Sequence, residues 1–326
     1  MSQLVTIYGG SGFVGRYIAR RMAKLGWRVR VAVRRPNEAI FVKPYGVVGQ
    51  VEPVFCNIRD DDSVRAVMAG ADVVVNCVGT FDVGGRNNFG AVQDEGATRI
   101  ARIAAEQGIA RMVHISAIGA DADSASVYSQ SKAAGEAGVL AHMPNAMILR
   151  PSVVFGPEDQ FFNRFAAMTR MGPVLPVIGA ETQFQPVYVD DLAQAAVKGI
   201  LGTAKPGIYE IGGPEKLSFR ALMTVMLHVI QRRRLILNIP FFAARIMGGL
   251  FGFASAISGG LIKGPVTTDQ VRSLRVDNVV SDGAMTLADL GITPTTIESV
   301  IPDYLWPYRP SGQYAAIKNS AKNLKA

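Results

Sequence analysis

Four glycines in seven residues, Gly9-Gly10-Ser11-Gly12-Phe13-Val14-Gly15, separate an apolar run, Leu4 to Tyr8, from a segment of helical spacing, Arg16 to Leu25. Ile18, Met22 and Leu25 share one side of that segment. A buried strand, a glycine turn and a helix in immediate succession leave few options, because together they build an anion cradle. Gly9 turns the chain sharply, Gly12 admits a pyrophosphate to the backbone, and Gly15 lets the helix pack close to the strand. The backbone amides at the helix start, around Phe13 and Val14, then face the anion, and the helix dipole favours its charge. A glycine pattern alone is weak evidence, but strand–turn–helix is the context that dinucleotide binding requires.

Further strands alternate with helical segments. Arg28 to Val33 reads as strand two and ends at Arg34 and Arg35. An acidic residue at that place binds a ribose 2′-hydroxyl; two guanidinium groups suit a 2′-phosphate instead, which predicts NADP(H) rather than NAD(H). Gln50 to Cys56 reads as strand three, and the turn after it offers Asn57 and Ile58 to an adenine. Ala71 to Val78 is strand four, with Val78 and Gly79 near the expected pyrophosphate and ribose. Ala91 to Gln107 reads as a long helix and Arg111 to Ser116 as strand five. The helix from Tyr128 to His142 puts Tyr128 and Lys132 four residues apart, on one face. A lysine cation near a phenol lowers its pKa and can bind ribose hydroxyls, so the pair suits a proton donor beside a nicotinamide. Strand six, Ala146 to Arg150, runs into Pro151, a further cofactor candidate.

Parallel strands need helical crossovers, so the alternation predicts a doubly wound parallel sheet of order 3-2-1-4-5-6. The expected domains are a nucleotide-binding unit over 1–205, with 152–181 leaving it toward a second lobe, and a smaller C-terminal α/β lobe with a basic tail over 206–326. Met1 stands almost against the first strand, so neither a secretory leader nor a transit peptide is expected. Cys56 and Cys77 lie in apolar runs and read as reduced core residues. His114, His142 and His228 show no metal-ligand spacing, so no metal is expected.

Charge is unevenly spread. Of a net +8, much falls in the last third: Ala221 to Thr268 contains no acidic residue but holds Arg232, Arg233, Arg234, Arg245 and Lys263. No aromatic-interleaved basic motif accompanies it, so nucleic acid is not expected. Ile246 to Ile262 falls short of the about 20 apolar residues of a membrane span and is rich in glycine, so no crossing is expected. Phe241, Phe242, Phe251 and Phe253 beside these cations suit a partner interface or an anionic lipid surface.

The glycine run, the Tyr128/Lys132 pair, Leu149–Pro157 and Val187-Tyr188-Val189-Asp190-Asp191 resemble an extended or atypical short-chain dehydrogenase/reductase over about Leu4 to Ile211. Within that superfamily, Gly12 to Ile18, Arg34-Arg35-Pro36 and the apolar C-terminal third resemble the nucleotide-binding accessory subunits of respiratory complex I. That resemblance implies a tightly held NADPH and a structural role. It also implies a place on the peripheral arm among membrane-junction and quinone-site subunits, on the cytoplasmic face of a bacterial inner membrane or the matrix side of a mitochondrial one. Active relatives carry a serine just after strand five. Ser116 is the candidate here, but Ala117 and Ile118 follow it, so Tyr128 and Lys132 are also read as cofactor ligands only. Three functions follow as expectations: a non-catalytic NADP(H)-binding subunit, a free NADP(H)-dependent reductase or epimerase acting on a small molecule or nucleotide sugar, and a regulatory NADP(H) sensor.

Overall fold

The computed structural model describes residues 3–82, 84–246, 249 and 267–314. Strand β1 (Leu4–Tyr8) is buried along its whole length. It pairs in parallel with β2 (Arg28–Val33) on one side and β4 (Val73–Asn76) on the other. Beyond them lie β3 (Val51–Phe55), β5 (Arg111–Ile115) and β6 (Met147–Pro151), giving the expected order 3-2-1-4-5-6. A seventh parallel strand, Gly207–Ile211, extends the sheet beside β6. Such strands are covered on both faces, which is why β1 and β4 read as mostly apolar runs, broken only by the buried Thr6 and Asn76, rather than as alternating ones.

Helix α1 (Phe13–Lys24) buries Gly15, Ile18, Ala19, Met22 and Ala23, a stripe at spacings of three and four. Arg21 on α1 grips Asp190 through two hydrogen bonds of 2.7 and 2.5 Å, and so anchors the start of α6 (Val189–Leu201). This gives the first acid of the Val187–Asp191 motif a structural task. Helices α2 (Asp61–Met68), α3 (Glu95–Glu106) and α4 (Val127–His142) share another core with Leu4, Tyr8, Val74 and Met112. Tyr8 donates to the Val64 carbonyl at 2.8 Å, tying α2 to β1.

One detail departs from the sequence reading, and one segment had no reading from sequence. The helix expected from Ala91 starts as a π-helical turn, Gly90–Asp94, before α3; turns of this kind recur at functional sites. Between β2 and β3 stands a 3₁₀ segment, Pro36–Tyr45, with Pro44 inside it removing a donor that an α-helix would need.

The chain divides into two compact units: Met1–Ser152, Val189–Gly212 and Val280–Pro294, and then Val153–Tyr188, Gly213–Val279 and Thr295–Ala326. The second unit takes 153–188 out of the first, and the first resumes at 189–212. The first unit keeps α6 and the seventh strand, because that strand completes its sheet. It also gains 280–294, where Glu210 donates its amide to the Met285 carbonyl at 2.8 Å and accepts from the Ser281 amide at 2.7 Å.

The second unit packs helices α5 (Phe162–Met168) and α7 (Phe219–Val229) with Leu175, Phe184, Ile297 and Ile301. Phe161 and Phe219 stack with ring centroids 5.6 Å apart. Leu235–Ile239 forms a parallel strand with Val174–Ile178. Phe241 packs with Ile178, Ala244 and Val271, whereas Phe242 is 68% exposed. Phe251, Phe253 and Lys263 fall outside the described residues. Among those described, no helix is long and apolar enough to cross a membrane.

Candidate functional site

The glycine turn has the geometry of a cradle. Gly9 takes φ +73°, a conformation that side chains disfavour, and a Cβ there would meet the Cys77 carbonyl and Val78 at 3.1–3.2 Å. The structure thus brings Val78, and Gly79 after it, against the turn. A Cβ at Gly15 would collide with the Gly9 carbonyl oxygen and stand 2.7 Å from Gly10 Cα, so the turn and α1 fit only without a side chain. Gly12 is the N-cap of α1, and it supplies no capping side chain; the first turn carries no acidic residue. By contrast α2, α4 and α7 begin with capping side chains, from Asp60, Ser126 and Ser218. The α1 start therefore leaves its amides, those of Phe13 and Val14 included, without a side-chain acceptor, which fits an anionic ligand such as a dinucleotide pyrophosphate.

At the other end of that cradle, Arg34 and Arg35 are exposed just beyond β2. Arg35 pairs with Glu38 at 2.9 Å on the surface, a contact of small energy that leaves the guanidinium available. After β3, the Asn57 amide donates to Ser63 Oγ at 2.9 Å, and Ile58 accepts from Arg99 at 3.1 Å. These bonds fix the turn expected to face an adenine.

Tyr128 and Lys132 lie one turn apart on α4, but their chemistry differs from the expectation. The Tyr128 ring stacks on Phe81, centroids 5.6 Å apart and 13° from parallel, and meets Phe89 edge-on at 5.8 Å. This apolar enclosure pushes the phenol up to about 12, rather than down. Lys132 donates to the Ile115 carbonyl at 3.2 Å, and burial pulls it down to about 8, with Glu136 and Cys77 opposing that shift. One donor of this ammonium is thus held at the carboxyl end of the central strand β5. Ser116 donates to Glu136, which also takes a two-pronged bond from Arg150 at 2.6–3.2 Å. Arg150 in turn stands 3.8 Å from Glu210. Ser116 thus belongs to a buried ionic chain Ser116–Glu136–Arg150–Glu210. Pro151, at the end of β6, accepts from the Ile118 amide at 2.9 Å and holds the loop after β5 in place.

The sequence reading passed over Gln93. Buried in the π turn, it donates to the Thr80 carbonyl at 2.7 Å and accepts from Ser131 at 2.8 Å. It thereby joins the loop after β4 to α4, next to Lys132. Gly135 and Gly138 let α4 close on this turn and on α3, for a Cβ at either would run into the Gln93 carbonyl or the Thr98 hydroxyl. The unusual turn at 90–94 is the structural mark of this junction; apolar periodicity carried no sign of it.

His114 is buried, its Nδ1 3.1 Å from Asn76 Nδ2, and its Nε2 has no partner among the described residues. Burial, helped by the Lys132 charge, draws its pKa down to about 3. A group whose folded pKa lies below the unfolded ~6.5 binds a proton in the unfolded state first. Stability is expected to fall by several kcal/mol as pH drops from about 6.5 toward 3. Urea midpoints for wild type and His114→Gln should converge in slope below pH 6 if another group is responsible, and diverge if His114 is.

Comparison with known proteins agrees with this geometry. Residues 5–212 match the NAD dependent epimerase/dehydratase family. The chain is 33% identical over 316 residues to NADH dehydrogenase (ubiquinone) 1 alpha subcomplex subunit 9, mitochondrial, of Arabidopsis thaliana, covering 95% of this chain and 79% of that protein. It is 30% identical over 239 residues to the ceramide reductase of Caulobacter vibrioides, covering 73% of this chain and 74% of that one. Among solved structures, the Bordetella bronchiseptica enzyme WbmG in complex with NAD shares the fold, with TM-score 0.68, 15% identity and 94% of each chain covered. The chain belongs to the NAD dependent epimerase/dehydratase family and, within it, groups with the alpha subcomplex subunit 9 proteins of mitochondrial NADH dehydrogenase.

Proposed function

We propose that this protein is an NADP(H)-binding, non-catalytic accessory subunit of respiratory complex I. In this reading it stabilises the peripheral arm beside the membrane-junction subunits, and its basic C-terminal region meets an anionic lipid surface on the cytoplasmic or matrix side. The observation that carries the non-catalytic part is the disposition of Tyr128, Lys132 and Ser116. The phenol is pushed up to about 12, the lysine is bonded to Ile115, and the serine is bonded to Glu136. A reduced nicotinamide supplies a hydride when bound; a proton donor to match it needs a pKa nearer the working pH.

In the proposed complex Gly9, Gly12, Phe13, Val14 and Gly15 hold the pyrophosphate and Arg34 or Arg35 the 2′-phosphate. Asn57 and Ile58 flank the adenine, Val78, Gly79 and Pro151 lie alongside, and Tyr128 and Lys132 serve as ligands. Each charge-assisted bond to the 2′-phosphate is worth about 1.5–3 kcal/mol. Replacing Arg34 and Arg35 together with alanine is expected to weaken NADPH by roughly a hundredfold or more and NADH little, measured by calorimetric titration. Equal losses for the two cofactors would refute a phosphate-reading role.

The second reading is a free NADP(H)-dependent reductase or epimerase, which the similarity to a ceramide reductase favours. Tyr128→Phe separates the two. A subunit should fold, keep its nucleotide and show no NADPH oxidation before or after the change. A catalytic proton donor would contribute about 10²–10⁴-fold in rate. Native purification with identification of the co-purifying chains and the released nucleotide tests the assignment to the complex.

A further inference from the structure

We propose that Arg170, Arg232 and Arg234 form a recognition site for the phosphate of an anionic phospholipid headgroup. The proposal deepens the membrane placement above by giving it a residue-level site. It is tested on the isolated chain, so a wrong assignment to complex I leaves it standing.

The three arginines come from distant stretches and converge on two short pieces of backbone in the second unit. Arg234 donates to the Thr169 carbonyl at 2.9 Å, and Arg170 is the next residue. Arg170 donates to the Pro307 carbonyl at 2.6 Å and lies over the Tyr308 ring, 4.9 Å from its centroid. Arg232 donates to the Tyr308 carbonyl at 2.8 Å. Thr169 caps the C-terminus of α5, so its carbonyl accounts for part of this attraction. It does not account for three cations together. A guanidinium has five N–H donors, and each of these uses only one or two of them. None forms an ion pair with a carboxylate among the described residues. Arg232 bears the cost of the missing counter-charge. Burial, then Arg234 and Arg170, hold its pKa below the usual arginine range.

The backbone bonds fix the forks in place, and fixed forks with spare donors match a phosphate's oxygens. Apolar side chains on the flanking residues favour a lipid over a soluble anion. Met171 follows Arg170 and is 88% exposed; Leu235 follows Arg234 and is 65% exposed. Trp306, also exposed, precedes Pro307. An indole and aliphatic groups beside cations are the composition of a surface that sits at a headgroup boundary.

The test is flotation of the full chain with vesicles of phosphatidylcholine alone and with added phosphatidylglycerol. The wild type should float with the anionic vesicles and not with the neutral ones. One cation beside an anionic leaflet contributes about fivefold in binding. Arg170→Gln should therefore weaken flotation about fivefold, and R170Q/R232Q/R234Q about a hundredfold. A circular-dichroism spectrum and a thermal unfolding curve like those of the wild type would show that the triple variant is folded. If it does not fold, Arg170→Gln and Arg170→Lys decide the matter, with lysine restoring part of the binding. Arg220→Gln, which removes a cation already paired with Glu181, should float like wild type. Equal flotation of the triple variant and wild type would overturn the proposal. So would an equal loss in R220Q, which would mean that net charge alone acts. Calorimetric binding of inorganic phosphate to the wild type, lost in the triple variant, without flotation on either kind of vesicle would assign the site to a soluble phosphate and overturn the lipid.

Discussion

Glu136→Ala is expected to lower unfolding stability by about 3–5 kcal/mol, the cost of removing one partner from a buried ion pair. Glu136 is buried, and it takes the Arg150 fork and the Ser116 hydroxyl together. Without it, the one carboxylate left to Arg150 among the described residues is Glu210, at 3.8 Å, and Ser116 loses its acceptor. The loss should therefore fall toward the lower end of the range. Replacing Glu136 and Arg150 together by methionine should cost less than Glu136→Ala, since no uncompensated charge remains inside. A second readout follows from Lys132, whose charge Glu136 supports: its pKa should drop below about 8 in Glu136→Ala. Urea unfolding and lysine titration by nuclear magnetic resonance check both. A stability loss under 1 kcal/mol would mean that water replaces the carboxylate freely and that the chain of ionic contacts is not truly enclosed.

Gly15→Ala is expected to abolish nucleotide binding and to cost about 1–3 kcal/mol, the range for forcing a methyl group into a packed site. The colliding atoms are backbone, the Gly9 carbonyl and Gly10 Cα, so no side chain can swing aside. Either the helix lifts or the turn opens, and both destroy the cradle. Gly12→Ala supplies the contrast. A Cβ there meets only the Gly9 carbonyl, at 3.1 Å, so the fold should be nearly as stable as wild type while a pyrophosphate is kept off the backbone. Thermal unfolding with and without NADPH measures the pair. Equal stability losses in the two variants would contradict the assignment of packing to Gly15 and ligand approach to Gly12.

The sheet was legible because its evidence is local. Leu4 to Tyr8 and Val73 to Val75 are apolar without alternation, and Gly9 to Gly15 stand in their proper order between strand and helix. The seventh strand was readable as a strand but not as a member of the sheet, since membership depends on pairing Ile208 with Ile148 across 60 positions. The same limit governs the site. Spacing put Tyr128 and Lys132 on one face, but the sign of the phenol's shift is set by Phe81 and Phe89 from another segment, and by the Ile115 carbonyl that claims the lysine. Glu136 and Gln93 carry no short motif. Arg232 and Arg234 announced a basic region, yet Arg170 joins them only through the backbone at 307–308.

The seating of α4 on the π turn has a mechanical meaning. With no side chain of its own at Gly135 or Gly138, the helix sits directly on the Gln93 carbonyl and the Thr98 hydroxyl. Gln93 is the rigid link in between, one end on Thr80 and the other on Ser131. A shift of α4 would therefore pull on the loop after β4 through this one side chain. The two walls of the candidate nucleotide site, one strand-borne and one helix-borne, are thereby joined through one side chain.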